Sequence, residues 1–250
     1  MSDFFMRGDA PLTAEEWEQL DKVVVHVARQ FLVGRRFIDL AGPFGAGTEV
    51  IPMGTGKGRK YLNMETIQED FVLYWRDVEA NRKMGVPVEW GAAAEAAAKC
   101  AKAEDKMILD ALSKAAKKKV ELGDWDEPGV ALESIVSATE SLFDDGFFGP
   151  YAVIASPVLY TKTQRVARGM GRMVSRLIRD VAEGGLFRTP LLGPDQAMVV
   201  SLGVHNLDLA VAQDLITAYM GNEELDHTFR VMESLVLRIK RPGAICVLTK

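Results

Sequence analysis

The chain has 250 residues, long enough for one large or two small domains with their own core, so the fold need not lean on disulfide or metal staples. Apolar residues make up 48% and charged residues 26%, the balance of an ordinary globular protein rather than a disordered one. A formal net charge of −5 argues against a nucleic-acid-coating protein, and 2 cysteines without CxxC or Cys/His spacing exclude a disulfide framework, a zinc ribbon and a thioredoxin-type motif.

The amino-terminal segment shows neither a basic start with an apolar run nor a small-residue cleavage site. No stretch reaches about 18 uninterrupted apolar residues, so a cytoplasmic protein is expected. Thr13 opens the first helix: its hydroxyl can cap the backbone at Glu16, whose carboxylate can reach back, while Leu12 and Trp17 are spaced as a hydrophobic staple. Trp17, Leu20, Val24, Val27, Ala28 and Phe31 keep the helical period up to a stop near Gly34. Phe37 to Leu40 reads as a short strand closed by Gly42-Pro43. From Gly45 to Asn63, glycines at 45, 47, 54, 56 and 58 and few apolar side chains predict a loop-like, exposed excursion. Phe71 to Trp75 fits either a strand or the start of a helix.

From Trp90 to Lys119 the good helix formers Ala, Lys, Glu and Leu dominate, which predicts one long spine helix with Ala94, Ala97, Ala101, Ile108 and Leu112 buried. A helix from Val130 to Phe143 follows Pro128-Gly129 and stops at Asp144-Asp145-Gly146. Tyr151 to Ala155 is a buried strand, Pro157 to Arg168 and Met173 to Ala182 are helices, and Gly184-Gly185 is a turn. Ala197 to Ser201, Leu207 to Val211 and Ile216 to Tyr219 are strand-like, as are Thr228 to Arg241 and Cys246 to Leu248, which break at Pro242-Gly243.

Gly54-Thr55-Gly56-Lys57-Gly58 invites a phosphate-loop reading, but that loop needs Gly at Ile51 and Ser or Thr at Gly58. His26, His205 and His227 are scattered, and only the three-residue spacing of His205 and Asp208 suits an acid–base or ligand pair. Glu104 and Asp105 point about 100° apart on a helix, which reads as a solvated face. Lys114, Lys117, Lys118 and Lys119 suit the C-terminus of the spine helix. Arg238, Lys240 and Arg241 alternate with Leu237 and Ile239 at strand spacing, giving a charged face that is solvated or meets another subunit. No catalytic constellation, cofactor site or metal site emerges, which directs attention to a structural or binding role.

Several segments in order resemble the encapsulins (family 1, linocin-like), nanocompartment shell proteins that share the tailed-phage major capsid fold. They are Ala10-Pro11-Leu12-Thr13 with Trp17; Gly34 to Pro43 (GRRFIDLAGP); Asp70 to Asp77 (DFVLYWRD); Phe148 to Val153 (FGPYAV) with Ser156-Pro157; Gln213-Asp214; and Phe229 to Pro242 with Ala244-Ile245-Cys246. The resemblance implies an α+β, Hong Kong phage capsid-like fold with a P-domain holding the spine helix, an A-domain near the vertices and an E-loop that pairs with a neighbouring subunit. The corresponding partition is 1–44 for the N-terminal helix and inner-surface segment, 45–68 for the E-loop, 69–128 for the P-domain with its spine helix, 129–225 for the A-domain and 226–250 for C-terminal P-domain strands. It further implies a non-enzymatic subunit that assembles into an icosahedral cage, binds neither nucleic acid nor membrane, and encloses cargo enzymes through their C-terminal targeting peptides. Family cargos are ferritin-like iron-storage proteins or dye-decolourising peroxidases, hence iron storage and oxidative stress. Carried over residue by residue, the cargo groove falls on Val27, Phe31, Arg35, Ile38, Asp39 and Ile245, and the vertex pore on Glu183, Gly184, Gly185 and Arg188. An extended apolar peptide does need a hydrophobic groove with a few charges to fix its register.

The chain departs from the family between Gly45 and Phe71, where the E-loop is shortened, and after Lys117-Lys118-Lys119, where relatives insert a loop and a short strand. Such losses bear on whether a closed shell forms and at what size. A phage or prophage major capsid protein, an E-loop-trimmed engineered encapsulin and a small hydrolase or metal enzyme using His205 and Asp208 are the competing readings.

Overall fold

The computed structural model describes residues 4–55, 58–167, 169 and 171–250. Its elements are α1 (Ala14–Phe31), β1 (Leu40–Ala41), β2 (Val50–Thr55), β3 (Gly58–Asn63), β4 (Glu65–Leu73), α2 (Trp75–Met84), α3 (Gly91–Ala115), β5 (Lys118–Glu121), α4 (Val130–Asp144), β6 (Tyr151–Ala155), α5 (Pro157–Thr163), α6 (Val174–Val181), β7 (Gly185–Arg188), β8 (Gln196–Ser201), β9 (Leu207–Glu223), β10 (Asp226–Ile239) and β11 (Ile245–Thr249).

Two sheets and one hairpin organise them. The four-stranded sheet has the order β1-β9-β10-β4 and the five-stranded sheet β5-β11-β8-β6-β7, while β2 and β3 form a two-stranded sheet of their own. In the second sheet, alternation decides the layers. Ala152 and Ile154 of β6, Met198 and Val200 of β8, and Ile245 and Val247 of β11 face a core shared with β9, β10 and the C-terminal half of α3. The intervening residues Val153, Val199, Cys246 and Leu248 face a second core under α4 and α6. Successive strand side chains point to opposite faces, so strands buried on both sides must be apolar throughout.

The third core joins α1 and the alanine-rich first half of α3 to β4, β9 and β10. Ala93, Ala96 and Ala97 are buried there, and Ala101 beside it against Ala28 and Leu32; their small side chains let α1 and the sheet approach α3 closely. At its centre the buried Phe229 ring lies 5.4 Å from Phe71 (stacked), 5.7 Å from Trp17 (edge-on) and 5.2 Å from Tyr219. The capping box at Thr13 is formed as expected, with Glu16 N–H donating to Thr13 Oγ1 at 3.2 Å and Thr13 N–H donating to Glu16 Oε2 at 2.7 Å.

Several expectations need correction. Phe37 and Ile38 are not in a strand: a 3-10 turn at Gly34–Arg36 sends them into the shared core, leaving Leu40–Ala41 to pair with β9. Residues 45–63 are not all loop, because Val50–Thr55 and Gly58–Asn63 pair antiparallel as β2 and β3, and Ile51 of β2 is buried against Ala210 and Val236. The run Phe71 to Trp75 is both alternatives in turn: β4 ends at Leu73 and α2 starts at Trp75, whose N–H donates to Asp226 Oδ1 at 3.0 Å. The spine helix stops at Ala115, and Ala94 within it is only half-buried. Lys118 and Lys119 belong to β5, where Lys118 Nζ donates to the Ser141 carbonyl and pairs with Asp145 at 2.8 Å. Helix α5 ends at Thr163, and Arg168, where the expected helix closed, lies outside the described residues. The segments at Leu207 and Ile216 are one strand, interrupted in its pairing rather than in its course. Sheet membership also crosses the boundaries expected at 128/129 and 225/226, since β5 and β11 complete the sheet of β6 to β8 while β9 pairs with β10.

Candidate functional site

The second half of α1, the 3-10 turn after it and the middle of β9 enclose a cleft of about 330 Å³. Its apolar lining comes from Val25, Ala28 and Leu32 of the helix, Leu40 of β1 and Leu215 of β9, and its charged lining from Arg29, Arg35, Arg36 and Asp214. Leu32 and Ala28 lie four residues apart on one helix face. Leu215 reaches the cleft because of an irregularity in the β9–β10 ladder: Met232 pairs with Ile216 and Ser234 with Gln213, so Asp214 and Leu215 together oppose Glu233. An extra residue of this kind bends a strand and re-aims its side chains.

The floor of the cleft is tied down by acids from α3. Asp105, buried, accepts the Val33 N–H on Oδ2 at 2.7 Å and the Gly34 N–H on Oδ1 at 2.8 Å. Gly34 is required for this approach, since a Cβ there would come within 2.6 Å of Ile108 Cδ1. Burial pushes the Asp105 carboxyl up to about 6 although both backbone bonds oppose it. Arg35 Nε donates to Glu104 at 2.9 and 3.0 Å, Nη1 to Asp214 at 2.6 Å and Nη2 to Glu233 at 2.7 Å. Burial alone disfavours the Arg35 charge, but the three carboxylates outweigh it and its pKa rises. Burial likewise works against the Asp214 charge, yet Arg35 and the Leu215 N–H hold its carboxyl below the usual range.

The expected groove residues fall in two groups. Arg35 lines the cleft, Phe31 (49% exposed) sits on the same helix end, Asp39 is exposed beside Leu40 (52% exposed), and Val27 is half-buried against the third core. Ile38 and Ile245 are buried in the shared core and do not line the cleft. Ala28, Leu32, Leu40 and Leu215 do the lining that sequence reasoning missed. The helical period through Val25, Ala28 and Leu32 was the available signal. Glu104 and Asp105 are not a solvated face but the acids that anchor residues 33–35.

The other candidates are dispersed. Glu183, Gly184, Gly185 and Arg188 lie on the α6–β7 turn and β7, with Glu183 and Arg188 exposed and the Arg188 guanidinium 5.7 Å over the Tyr160 ring. His205 is exposed, while Asp208 is buried and engaged by Arg238 at 2.6 Å and Lys240 at 2.6 Å, so the two make no acid–base pair. Of the alternating cations of β10 and its exit, Arg238 and Lys240 are half-buried on Asp208, while Arg241 stays exposed and stacks 4.4 Å over Phe147. Gly56 and Lys57 of the rejected phosphate loop lie outside the described residues. Among the described residues no cluster of three His, Cys, Asp or Glu could hold a metal, and no helix is long and apolar enough to cross a membrane.

An alanine-rich spine helix against a long antiparallel ribbon, beside a five-stranded sheet covered by helices, defines the class: a tailed-phage capsid-like shell subunit. The same fold occurs in the crystallised virus-like particle of Pyrococcus furiosus, at a TM-score of 0.81 and 22% identity over 94% of this chain and 100% of that one. It occurs also in a phage-related protein of Bordetella bronchiseptica, at a TM-score of 0.66 and 10% identity over 92% of this chain and 96% of that one. The family described as "Encapsulating protein for peroxidase" (Linocin_M18) matches residues 1–236. The Type 1 encapsulin shell protein EncA of Myxococcus xanthus is 40% identical, covering 99% of this chain and 97% of its own. A diheme-cytochrome-encapsulin shell fusion protein of Kuenenia stuttgartiensis is 32% identical, covering 95% of this chain and 73% of its own. This chain belongs to the encapsulin shell-protein family, and its role is that of a shell subunit.

Proposed function

We propose that copies of this chain assemble into a closed cage and that the α1–β9 cleft takes the C-terminal tail of a cargo enzyme. The observation that supports it is the cleft itself, an apolar floor of Ala28, Leu32 and Leu215 with a charged rim of Arg29, Arg35, Arg36 and Asp214. An extended peptide gains affinity from such a floor and register from such a rim. In this reading Arg35 contacts the tail directly and the exposed Phe31 and Asp39 extend the groove past it, while Val27, packed on the third core, and Ile38 and Ile245, in the shared core, have no direct contact with the peptide. The cargo is an iron-handling or redox enzyme: the family description names a peroxidase, and relatives are fused to a diheme cytochrome or, in Pyrococcus furiosus, to a ferritin-like protein. The shell acts by enclosure in the cytoplasm, with no chemistry of its own. The β2–β3 hairpin serves as the shortened E-loop. The alignment to the Myxococcus protein spans 278 positions, more than this chain has, which supports a shortened chain. Glu183, Gly184, Gly185 and Arg188 line the vertex pore.

Size-exclusion chromatography with negative-stain microscopy tests assembly: hollow particles are expected, and a strict monomer or dimer sinks the cage. Proteins retained inside purified shells are identified by mass spectrometry and their C-terminal tails fused to a fluorescent reporter. Leu40→Asp and Arg36→Glu, both at exposed positions of the cleft, are expected to lower reporter capture at least tenfold with the particle intact. Undiminished capture overturns the groove assignment.

A further inference from the structure

Beneath the cleft, Arg35 is surrounded by more negative charge than it can balance. Glu104 of α3 (0% exposed) and Glu233 of β10 (1% exposed) both reach its guanidinium, at 2.8 and 2.7 Å. Asp214, the third partner, is largely in solvent. Two buried carboxylates against one cation leave a buried charge uncompensated, which protein interiors avoid by binding a proton. A second observation marks where that proton sits. Glu233 Oε2 accepts from Arg35, but its Oε1 is buried with no hydrogen-bond partner among the described residues. A buried oxygen without a donor is satisfied once it carries a hydrogen itself. The groups around Glu233 are Glu104 and Cys100 from α3, Arg35 from the 3-10 turn and Asp214 from β9, while its β4 neighbour in register is the apolar Ile67. Cys100 Sγ donates to the Val231 carbonyl, so Glu104 is the buried acceptor left for that hydrogen.

We propose that Glu104 and Glu233 share one proton and are positioning residues of the cargo groove. The neutral carboxyl satisfies the unpaired oxygen, the ionised one balances Arg35, and the guanidinium is thereby held in the groove wall. The functional half of this statement rests on the groove reading above; the proton does not. Burial, and next the Glu104 charge, push the Glu233 carboxyl up to about 9. Its proton is therefore bound in the folded chain and absent from the unfolded one between the ordinary carboxylate range and that value. Stability from this group is complete at acid pH and falls as pH rises through the window, by about tenfold in the folding equilibrium per pH unit, then levels off.

The test uses intact shells of the full chain, read by the infrared C=O band of a protonated carboxyl, by urea midpoints from about pH 5 to about pH 9, and by capture of the tail-bearing reporter. Wild type is expected to show the band at neutral pH, to lose it on alkaline titration, and to lose reporter capture with it. Glu233→Gln, neutral and still a donor, is expected to lack the band, to flatten the stability profile and to keep capture at alkaline pH. Glu104→Gln removes the repelling charge, so Glu233 ionises against Arg35 and the band disappears as well. No band in wild type, a band persisting in both variants, or parallel stability profiles for wild type and Glu233→Gln overturns proton sharing. Capture lost alike by wild type and Glu233→Gln at alkaline pH overturns the positioning role. Wild-type shells that capture no reporter at any pH overturn the groove reading alone, because the band and the urea profile need no cargo.

Discussion

Replacing Asp105 with Asn probes the anchor under residues 33–35. The carboxylate uses both oxygens, at 2.7 Å to the Val33 N–H and 2.8 Å to the Gly34 N–H, and is itself buried. An amide offers one carbonyl oxygen, so one backbone N–H must face an NH₂ group instead of an acceptor. An orphaned buried donor costs about 1–3 kcal/mol, and the surviving bond drops from charge-assisted to neutral strength, about 1 kcal/mol less. Against this, the variant no longer buries a charge, a burden visible in the Asp105 carboxyl being pushed up to about 6. The balance is a net loss of about 2 kcal/mol, or about 4–8 °C in Tm for a chain of this size. Thermal unfolding of Asp105→Asn beside Asp110→Asn measures it, since Asp110 lies on the same helix, exposed and paired with Lys106 one turn before it. The control should stay within about 0.5 kcal/mol of wild type. An Asp105→Asn variant as stable as the control would refute the claim that both N–H groups depend on this carboxylate.

Phe229→Ala removes the ring on which Trp17, Phe71 and Tyr219 converge and should cost about 3–5 kcal/mol in a denaturant titration. A loss below about 1 kcal/mol would mean that the third core can collapse around the gap. Gly184→Ala places a methyl 2.7 Å from the Tyr151 carbonyl oxygen, so a loss of about 1–3 kcal/mol and a shifted β6–β7 pairing are expected by calorimetry and amide exchange. Asp208→Ala strips Arg238 and Lys240 of their shared partner and should destabilise by roughly 3 kcal/mol, whereas His205→Ala should change stability by no more than about 0.5 kcal/mol. Equal effects of the two substitutions would contradict the separation of these side chains.

What the sequence discloses is whatever repeats at short range. The unbroken apolar runs of Tyr151 to Ala155 and Ala197 to Val200, the capping box at Thr13 and the helix formers after Trp90 each declare themselves in consecutive residues. The β2–β3 hairpin was hidden because its glycines mimic loop composition and its burial comes down to Ile51, Met53 and their few neighbours. The acids under the groove were hidden for a different reason. Glu104 and Asp105 look like any exposed pair on a helix, and their burial follows from Arg35, 69 positions away from Glu104, and from Glu233, 198 positions from Arg35. Asp214 and Leu215 enter the cleft through a mispaired stretch of ladder, a property of two strands together that neither carries alone.

Strand β11 is the last of the five-stranded sheet to be synthesised, yet it lies inside that sheet, parallel to β5 and antiparallel to β8. Until residues 245–249 leave the ribosome, β5 has no strand beside it and β8 presents a bare edge, with the apolar faces of both cores open. The sheet therefore cannot close before β11 has emerged, and its pairing of Cys246 with Lys118 must be made across a long loop, a slow step. Subunits that end before this strand would hold unpaired edges and should go to aggregates rather than to cages. Placing the keystone of the sheet last in its strand order makes closure of both cores wait for β11, an inspection step written into the topology.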